Sequence, residues 1–365
     1  MTAPAPPPSS SAPPAGDPDL AALDQARAWV AAGHRVALAT VIATWGSAPR
    51  GVGAHLAVRA DGLFAGSVSG GCVEGDVIAA ARELLARDDA AVRTLGFGVA
   101  DETAWRAGLA CGGRIRILLE NVSRAPGFLA AIPEAVRARR RAFRLVDPAD
   151  GRDAWSAGDG PVTGPLAGGA GLPLPPPAGA VSGPLAAAGR ELFLRIYAPA
   201  PRLVITGASH IAVYLGRFAA ALGWVVEVID PRGAFVDAFR HQLGAEPRVA
   251  VFEDWPDEVL ERRPLDAFSA LVTLTHDPKI DDVALARALL SPAFYIGALG
   301  SRRTHAARLK RLADKGFDEG ALSRIEGPVG LAIGARGPAE IAVAIAAAVI
   351  ARLRAGSAEA APCPS

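Results

Sequence analysis

Between Leu203 and Leu353, short apolar strands alternate with helical segments, and that alternation admits few folds other than a doubly wound parallel sheet. Leu203 to Thr206 reads as a first strand, Ile211 to Leu222 as a helix and Val225 to Ile229 as a second strand. Ala270 to Leu274 and Ala293 to Gly297 supply further strands, with helices over Asp282 to Leu290, Thr304 to Leu312 and Pro338 to Leu353. The junctions are short, so the crossovers are expected to be right-handed and the strands parallel. Upstream the pattern changes. Leu20, Leu23, Ala26 and Val30 are spaced for an amphipathic helix that Gly33 ends. Short strands over Val36 to Ala43, His55 to Val58 and Leu63 to Ala65 follow, then a helix over Val73 to Ala86 and a strand over Arg114 to Leu119. The expected class is α/β: a mixed α+β N-terminal domain, then a Rossmann-like parallel sheet.

A chain of 365 residues is long enough for two domains, each burying its own core. Ala198-Pro199-Ala200-Pro201 marks the break. The division reads as a disordered Pro/Ser-rich start (1–18), an N-terminal domain (19–198) with a Gly/Pro-rich loop at 150–183, a Rossmann-like domain (199–355) and a tail (356–365). Lys and Arg number 38 against 37 Asp and Glu, a net charge of +1, so no global field draws the chain to nucleic acid or an anionic membrane. Any anion has to be captured locally. The longest apolar run, Ile341 to Ile350, is about half the roughly 20 residues a spanning helix needs, and is expected to be a buried helix. The N-terminus has neither the basic start nor the apolar core of a signal peptide, so a cytoplasmic location is expected. There the three cysteines, Cys72, Cys111 and Cys363, are thiols, and without C-x-x-C spacing they predict no structural zinc.

The densest local signal is Gly66-Ser67-Val68-Ser69-Gly70-Gly71-Cys72-Val73-Glu74, a strand exit through small residues into a helix that opens at a cysteine. Backbone N–H groups at a helix start stabilise thiolates and bound anions, and paired glycines let a ligand approach closely. Cys111, in Ala110-Cys111-Gly112-Gly113, repeats the theme. Both patterns are also those of small buried cysteines beside tight turns. Thr44-Trp45-Gly46-Ser47-Ala48-Pro49-Arg50-Gly51 is a second glycine-rich loop, suited to a phosphate through Arg50 or equally to a plain hairpin connection. In the C-terminal half Gly207-Ala208-Ser209-His210 follows the first strand, and Asp230 ends the second, the spacing of a dinucleotide turn and its ribose-binding acid. Ser209, however, puts a side chain where a pyrophosphate would pass. Thr275-His276-Asp277-Pro278-Lys279 and Gly300-Ser301-Arg302-Arg303 follow later strands, at the carboxyl edge where ligands of this fold sit.

Taken in order, Trp45-Gly46-Ser47-Ala48-Pro49-Arg50, Ser69-Gly70-Gly71-Cys72-Val73-Glu74-Gly75, Gly207 to Ala212, Thr275 to Lys279, Tyr295 to Thr304 and Gly327-Pro328-Val329-Gly330-Leu331 resemble the XdhC/CoxI family of accessory proteins for xanthine dehydrogenase and related molybdenum hydroxylases. The resemblance implies a non-enzymatic chaperone that binds the molybdenum cofactor (molybdopterin or its dinucleotide form), shields it and assists its sulfuration by a cysteine desulfurase. It further implies delivery to the large subunit of the hydroxylase. On that reading Cys72 is a metal ligand or sulfur contact, with Cys111 a second candidate. Arg50, Ser69, Gly70, Gly71, Gly207, Ser209, His210, Asp230, His276, Asp277, Gly300, Ser301 and Arg302 form the cofactor-binding set. A homodimer would help to bury the cargo.

Two other functions fit parts of the pattern. An NAD(P)-dependent oxidoreductase would place Asp230 on the ribose and use His276 as acid/base. A thiol sulfurtransferase would work through Cys72 and Cys111. Neither accounts for so many anion-suited loops beside a degenerate dinucleotide turn.

Overall fold

Asp17 caps the first helix by accepting the Asp19 N–H at 2.9 Å, and Pro18 occupies the first helical position, where its missing donor is not needed. This is the start of the described chain: the computed structural model describes residues 17–46, 48–87, 91–98, 113–177 and 179–355. Ser47, Cys111 and Cys363 lie outside these residues. The chain divides into two compact units, Met1–Ala198 and Pro199–Ser365.

The N-terminal unit holds two antiparallel sheets. The first has five strands, β1 (Val36–Trp45), β2 (His55–Arg59), β3 (Phe64–Gly66), β4 (Val92–Phe97) and β5 (Arg114–Asn121), in the order β3-β2-β1-β5-β4. Side chains alternate across it as strand geometry requires. Ala37, Ala39, Val41, Ile115, Ile117 and Leu119 pack on one face against α2 (Glu74–Ala86). Val36 and Leu38 pack on the other against α1 (Pro18–Ala31) and α3 (Gly127–Arg137), around Trp29, Phe128 and Ile132. The second sheet has four strands, β6 (Ala142–Val146), β7 (Asp153–Ala157), β8 (Gly183–Ala187) and β9 (Arg190–Tyr197), ordered β7-β6-β9-β8. β7 takes up the first residues of the stretch read from composition as loop. Its Asp153 carboxylate is held by Arg144 of β6 at 2.7 Å, a pairing that glycine and proline content does not reveal.

The C-terminal unit is a six-stranded sheet in which all pairs are parallel. Its strands are β10 (Arg202–Thr206), β11 (Val225–Ile229), β12 (Val249–Phe252), β13 (Ser269–Thr273), β14 (Tyr295–Ala298) and β15 (Ile325–Glu326), ordered β12-β11-β10-β13-β14-β15. This is the doubly wound order, and its switch point lies between β10 and β13. Leu203, Ile205, Val226 and Val228 face α4 (His210–Ala221), α5 (Gly233–Leu243) and α10 (Pro338–Ala355). Val204, Leu271 and Ile296 face α6 (Pro256–Arg262), α7 (Pro278–Leu289) and α8 (Arg302–Ala313). A short α9 (Glu319–Leu322) precedes β15. The apolar run from Ile341 lies within α10, where Ile345 and Val349 are fully buried. Among the described residues no helix is long and apolar enough to cross a membrane.

Candidate functional site

The chain leaves β3 at Gly66, whose φ of +91° and close approach to the His55 carbonyl, 2.3 Å from where a Cβ would stand, admit only glycine. The turn that follows wraps around the Glu74 carboxylate. Glu74 Oε1 accepts from the Ser67 hydroxyl (2.7 Å), the Val68 N–H (3.2 Å) and the Ser69 N–H (2.9 Å). Its Oε2 accepts from the Ser69 hydroxyl and from the Gly71 N–H at 2.8 Å. Gly70 donates to Ser67 Oγ at 2.9 Å, and Val73 to Ser69 Oγ at 3.0 Å. Burial works to raise the Glu74 pKa, but the hydrogen bonds from Ser69 and Ser67 hold it down at about 2. The sequence pattern offers the Ser69, Gly70 and Gly71 N–H groups to a ligand phosphate. In the structure they are engaged inside the turn, because the carboxylate three residues beyond Gly71 folds back as a capping box does. Cys72 follows the turn, half-buried and packed on the α2 core just before the helix begins. Glu74 is the residue that sequence reasoning missed, and its signal was that i, i+3 spacing from Gly71.

Arg50 is likewise tied down. Its Nη2 donates to Asp19 Oδ1 at 2.7 Å and its Nε to the Ser67 carbonyl at 3.3 Å, joining the Trp45–Arg50 loop to α1 and the Cys72 turn. Asp19 also accepts the His55 N–H at 3.1 Å and Arg195 Nη2 at 3.1 Å. Burial lifts the Asp19 carboxyl above its usual range, against the pull of Arg195, the His55 N–H and Arg50. Beneath lies a chain of buried polar groups, in which His55 Nδ1 meets Thr40 Oγ1 at 3.0 Å and Nε2 meets the Tyr197 hydroxyl at 2.9 Å. Arg195 stacks over the Tyr197 ring at 4.8 Å. Burial, and then the charges of Arg195, Arg144 and Arg50, hold the imidazole well below its ordinary 6.5, and burial lifts the Tyr197 phenol to about 12. His55 is therefore neutral when folded. Its carbon-bound proton resonance is expected to stay fixed between about pH 8 and 5, and a titrating signal would show that the ring is reached by water. Because the unfolded chain takes up that proton and the folded one does not, His55 subtracts stability as pH falls below 6.5.

At the switch point of the C-terminal unit, Gly207 has φ +106°, and a Cβ there would stand 2.7 Å from Thr275 Cγ2. Ser209 is the N-cap of α4, its hydroxyl accepting the Ala212 N–H at 3.3 Å, and His210 is exposed at the first helical position. Asp230 is fully buried. Its Oδ2 accepts from the Ala208 N–H (2.9 Å) and Arg232 Nη2 (2.7 Å), and its Oδ1 from Arg232 Nε (2.8 Å) and the Arg232 N–H (3.0 Å). Burial opposes ionisation, but Arg232 and the Ala208 N–H hold the carboxyl below its usual range. An acid so engaged has its acceptor positions filled by Arg232, not left open to a ribose. The signal in the sequence was a long cationic side chain two residues on, and only the fold shows that it curls back.

Thr275 and His276 direct their N–H groups at the buried Asp281 of α7, at 3.4 and 3.1 Å, and the Thr275 hydroxyl donates to it at 2.6 Å. His276 itself has φ +65°, a left-handed conformation rare outside glycine, and is exposed. Asp277 caps α7 through the Lys279 N–H at 2.9 Å. Ser301 caps α8 in the same manner through the Thr304 N–H at 3.1 Å, after Gly300 at φ +144°. Arg302 is exposed beside it. Arg308, buried on α8, reaches back to the Leu299 carbonyl at 2.9 Å and lies 3.6 Å from Asp281, so the β13 and β14 junctions are built as one piece. The structure thus groups Gly207, Asp230, His276 and Asp277 at one edge and ties the Ser301 junction to them. Among the described residues no cluster of His, Cys, Asp and Glu is arranged to hold a metal ion.

Two family profiles match the chain: one described as the XdhC Rossmann domain over residues 203–349, the other as the XdhC and CoxI family over residues 29–96. The molybdenum cofactor insertion chaperone PaoD of Escherichia coli K12 is 28% identical over 328 residues, spanning 87% of this chain and 83% of that protein. A Bacillus subtilis 168 protein described as a probable xanthine dehydrogenase subunit is 28% identical over 334 residues, or 86% and 92% of the two chains. A crystal structure described as a xanthine dehydrogenase from Bacillus halodurans superposes with a TM-score of 0.66 at 25% identity, covering 93% of this chain and 98% of that one. With both units matched, in this order and over most of the length of these relatives, the chain belongs to the XdhC and CoxI family.

Proposed function

We propose that this protein is an accessory chaperone of molybdenum cofactor maturation, which receives the cofactor as cargo, shields it during sulfuration and passes it to a xanthine dehydrogenase or CO dehydrogenase-type hydroxylase. The observation that carries this reading is the Cys72 turn. A thiol is the soft ligand that molybdenum and sulfur chemistry calls for, and here it stands half-buried on a turn made rigid by the Glu74 carboxylate. With the Ser69, Gly70 and Gly71 N–H groups spent inside the turn, the thiol suits contact with a cargo whose phosphate is held by other groups. The likeness to the E. coli insertion chaperone over most of both chains supports the same conclusion.

The remaining residues divide the work. In the C-terminal unit α4 begins at His210, behind Gly207 and the Ser209 cap, and a helix start at this edge of the sheet favours a phosphate. Exposed Arg302, at the start of α8, adds charge on the neighbouring junction. These groups suit a phosphate or a dinucleotide bound by that unit. Arg232, locked on Asp230, disfavours ordinary NAD by occupying the acid that would read its ribose. Arg50 supports the Cys72 turn through Asp19 and Ser67. The partners this role requires are a cysteine desulfurase and the large subunit of the hydroxylase, and a homodimer would further close off the cargo.

The test is co-purification from a molybdate-supplied host, with molybdenum read by elemental analysis and oxidised pterin by fluorescence. Near-stoichiometric cofactor in the wild type that falls several-fold in Cys72→Ser is the expected outcome. An empty wild type in repeated anaerobic preparations would overturn the chaperone role, and a fully loaded Cys72→Ser would remove Cys72 from the cargo.

A further inference from the structure

A cavity of roughly 410 Å³ opens between the two sheets of the N-terminal unit, lined by Trp45 and Ile42 of β1, Arg116 of β5, Leu185 of β8, and Glu191 and Phe193 of β9. Its size lies within the range of about 300–1,000 Å³ typical of small-molecule clefts. Three features set it apart. First, Arg116 has no hydrogen-bond or ion-pair partner among the described residues, although it is half-buried and the neighbouring Arg190 and Arg144 are both paired. Among the described residues its cross-strand neighbours are the small Ala43 and Gly96, and a Cβ on Gly96 would meet nothing within 4 Å. Second, the Glu191 carboxylate lines the same cavity and is also unpartnered among the described residues. Third, Trp45 is 50% exposed at this cavity, an indole not packed away into the core. A second cavity of roughly 460 Å³ shares Arg116, Pro148 and Glu191 with the first and gives a ligand room to continue.

An aromatic wall, a half-buried cation and an exposed carboxylate, both unpaired among the described residues, select a narrow ligand chemistry. An aliphatic acid would satisfy Arg116 but meet repulsion from Glu191. A sugar would lack partners for most of its hydroxyls. A flat heteroaromatic ring with a 2-amino-4-oxopyrimidine edge satisfies every group: its ring N–H and amino group donate to Glu191, its carbonyl accepts from Arg116, and its face stacks on Trp45. We infer that this cavity seats the pterin ring of the cargo, with Arg116 and Glu191 as its specificity-determining residues. The inference rests on the chaperone reading for its choice of a pterin. Guanine carries the same edge, so the two sources have to be told apart.

The test titrates the full-length protein with free 6-carboxypterin, followed by its fluorescence, and repeats the titration with guanosine as competitor. Saturable binding is expected, tighter for 6-carboxypterin than for guanosine, and weakened at least about tenfold by Glu191→Gln or Arg116→Gln, the loss of a charge-assisted hydrogen bond. Thermal melting of Glu191→Gln should stay at the wild-type value, since that side chain has no partner to lose among the described residues. Lumazine, which has an oxo group in place of the 2-amino donor, is expected to bind the wild type about tenfold more weakly than pterin does, with the difference vanishing in Glu191→Gln. Absence of saturable pterin binding, wild-type affinity in both variants, or equal binding of pterin and lumazine would overturn the assignment. Ready displacement by guanosine would overturn the choice of pterin. Loaded cofactor on a protein whose free-pterin binding ignores both variants would sink this seat while leaving the chaperone role standing.

Discussion

Replacing Glu74 by alanine is expected to destabilise the N-terminal unit by about 3–5 kcal/mol and to release the Cys72 turn, the loss following from the donors left behind. Val68 and Ser69 are buried, so the Val68 N–H, the Ser69 N–H and the Ser69 hydroxyl would each lose an acceptor where water does not replace it, at about 1–3 kcal/mol apiece. Gly71 is exposed and can turn to solvent, so it adds little. Glu74→Gln keeps the Oε1 acceptor but turns an NH2 toward the Gly71 N–H, and an intermediate loss is expected. Calorimetric melting checks the stability. The reaction rate of Cys72 with a disulfide reagent, in a Cys111→Ser, Cys363→Ser background, checks the turn. A variant with wild-type melting and wild-type thiol reactivity would show that Glu74 does not organise it. The pH dependence has a definite sign. Burial alone would raise the carboxyl, but the Ser69 and Ser67 hydrogen bonds depress it from 4.5 to about 2 in the folded state. Its contribution is therefore fully present above about pH 4.5 and disappears as pH falls through about 2. Glu74→Ala should lack that part of the acid transition.

The contrast between what is legible in the sequence and what only the fold reveals is seen in particular strands. β10 and β13 are buried at every position because helices cover both faces of a parallel sheet, so their three central residues read as apolar runs. The doubly wound class follows from them. β12 escapes notice since it is a half-exposed edge strand of four residues, and the two-residue β15 carries no pattern at all. The second sheet of the N-terminal unit is hidden for another reason. Its buried positions include Arg144, Asp153 and Ser156, so the alternation of apolar and polar residues that announces a half-buried strand is broken by polar groups satisfied inside the fold, Arg144 by Asp153 and Ser156 by the Gly160 carbonyl.

The candidate site divides in the same manner. Glycines at positive φ, Gly66, Gly207 and Gly300, mark close approaches that a run of small residues advertises. Which acceptor a turn's N–H groups will meet is a tertiary fact. Ser69, Gly70 and Gly71 look free for a ligand until Glu74 and Ser67 are seen to occupy them, and Asp230 looks like a ribose acceptor until Arg232 is seen to close it. Arg116 and Glu191 are far apart in sequence on β5 and β9, and only the packing of two sheets brings them to one cavity.

That packing has its own clamp, and breaking it is expected to produce the other large effect. Arg144 of β6 forks onto Glu120 of β5 through Nη1 at 2.9 Å and Nη2 at 2.8 Å, while its Nε holds Asp153 of β7 at 2.7 Å and its guanidinium lies 3.9 Å over the Phe128 ring. All three charged side chains are less than a tenth exposed. Burial alone would favour the neutral arginine, but Glu120 and Asp153 keep it charged, above its usual range. Arg144→Ala leaves two carboxylates desolvated without a counter-charge, and about 3–5 kcal/mol of stability is expected to go with it. Replacing the whole cluster with apolar residues, as Arg144→Met, Glu120→Leu and Asp153→Leu together, is expected to recover most of that loss, because a buried ion pair contributes little net stability over a well-packed apolar core. Chemical denaturation of the two variants separates the cases. Equal destabilisation by both would mean that the cluster's geometry, and not its charge balance, holds the sheets. Because Glu120 and Arg144 sit on the sheets that bound the Arg116 cavity, the single variant should also lose pterin binding, while the triple variant, with the sheets again apposed, should regain it.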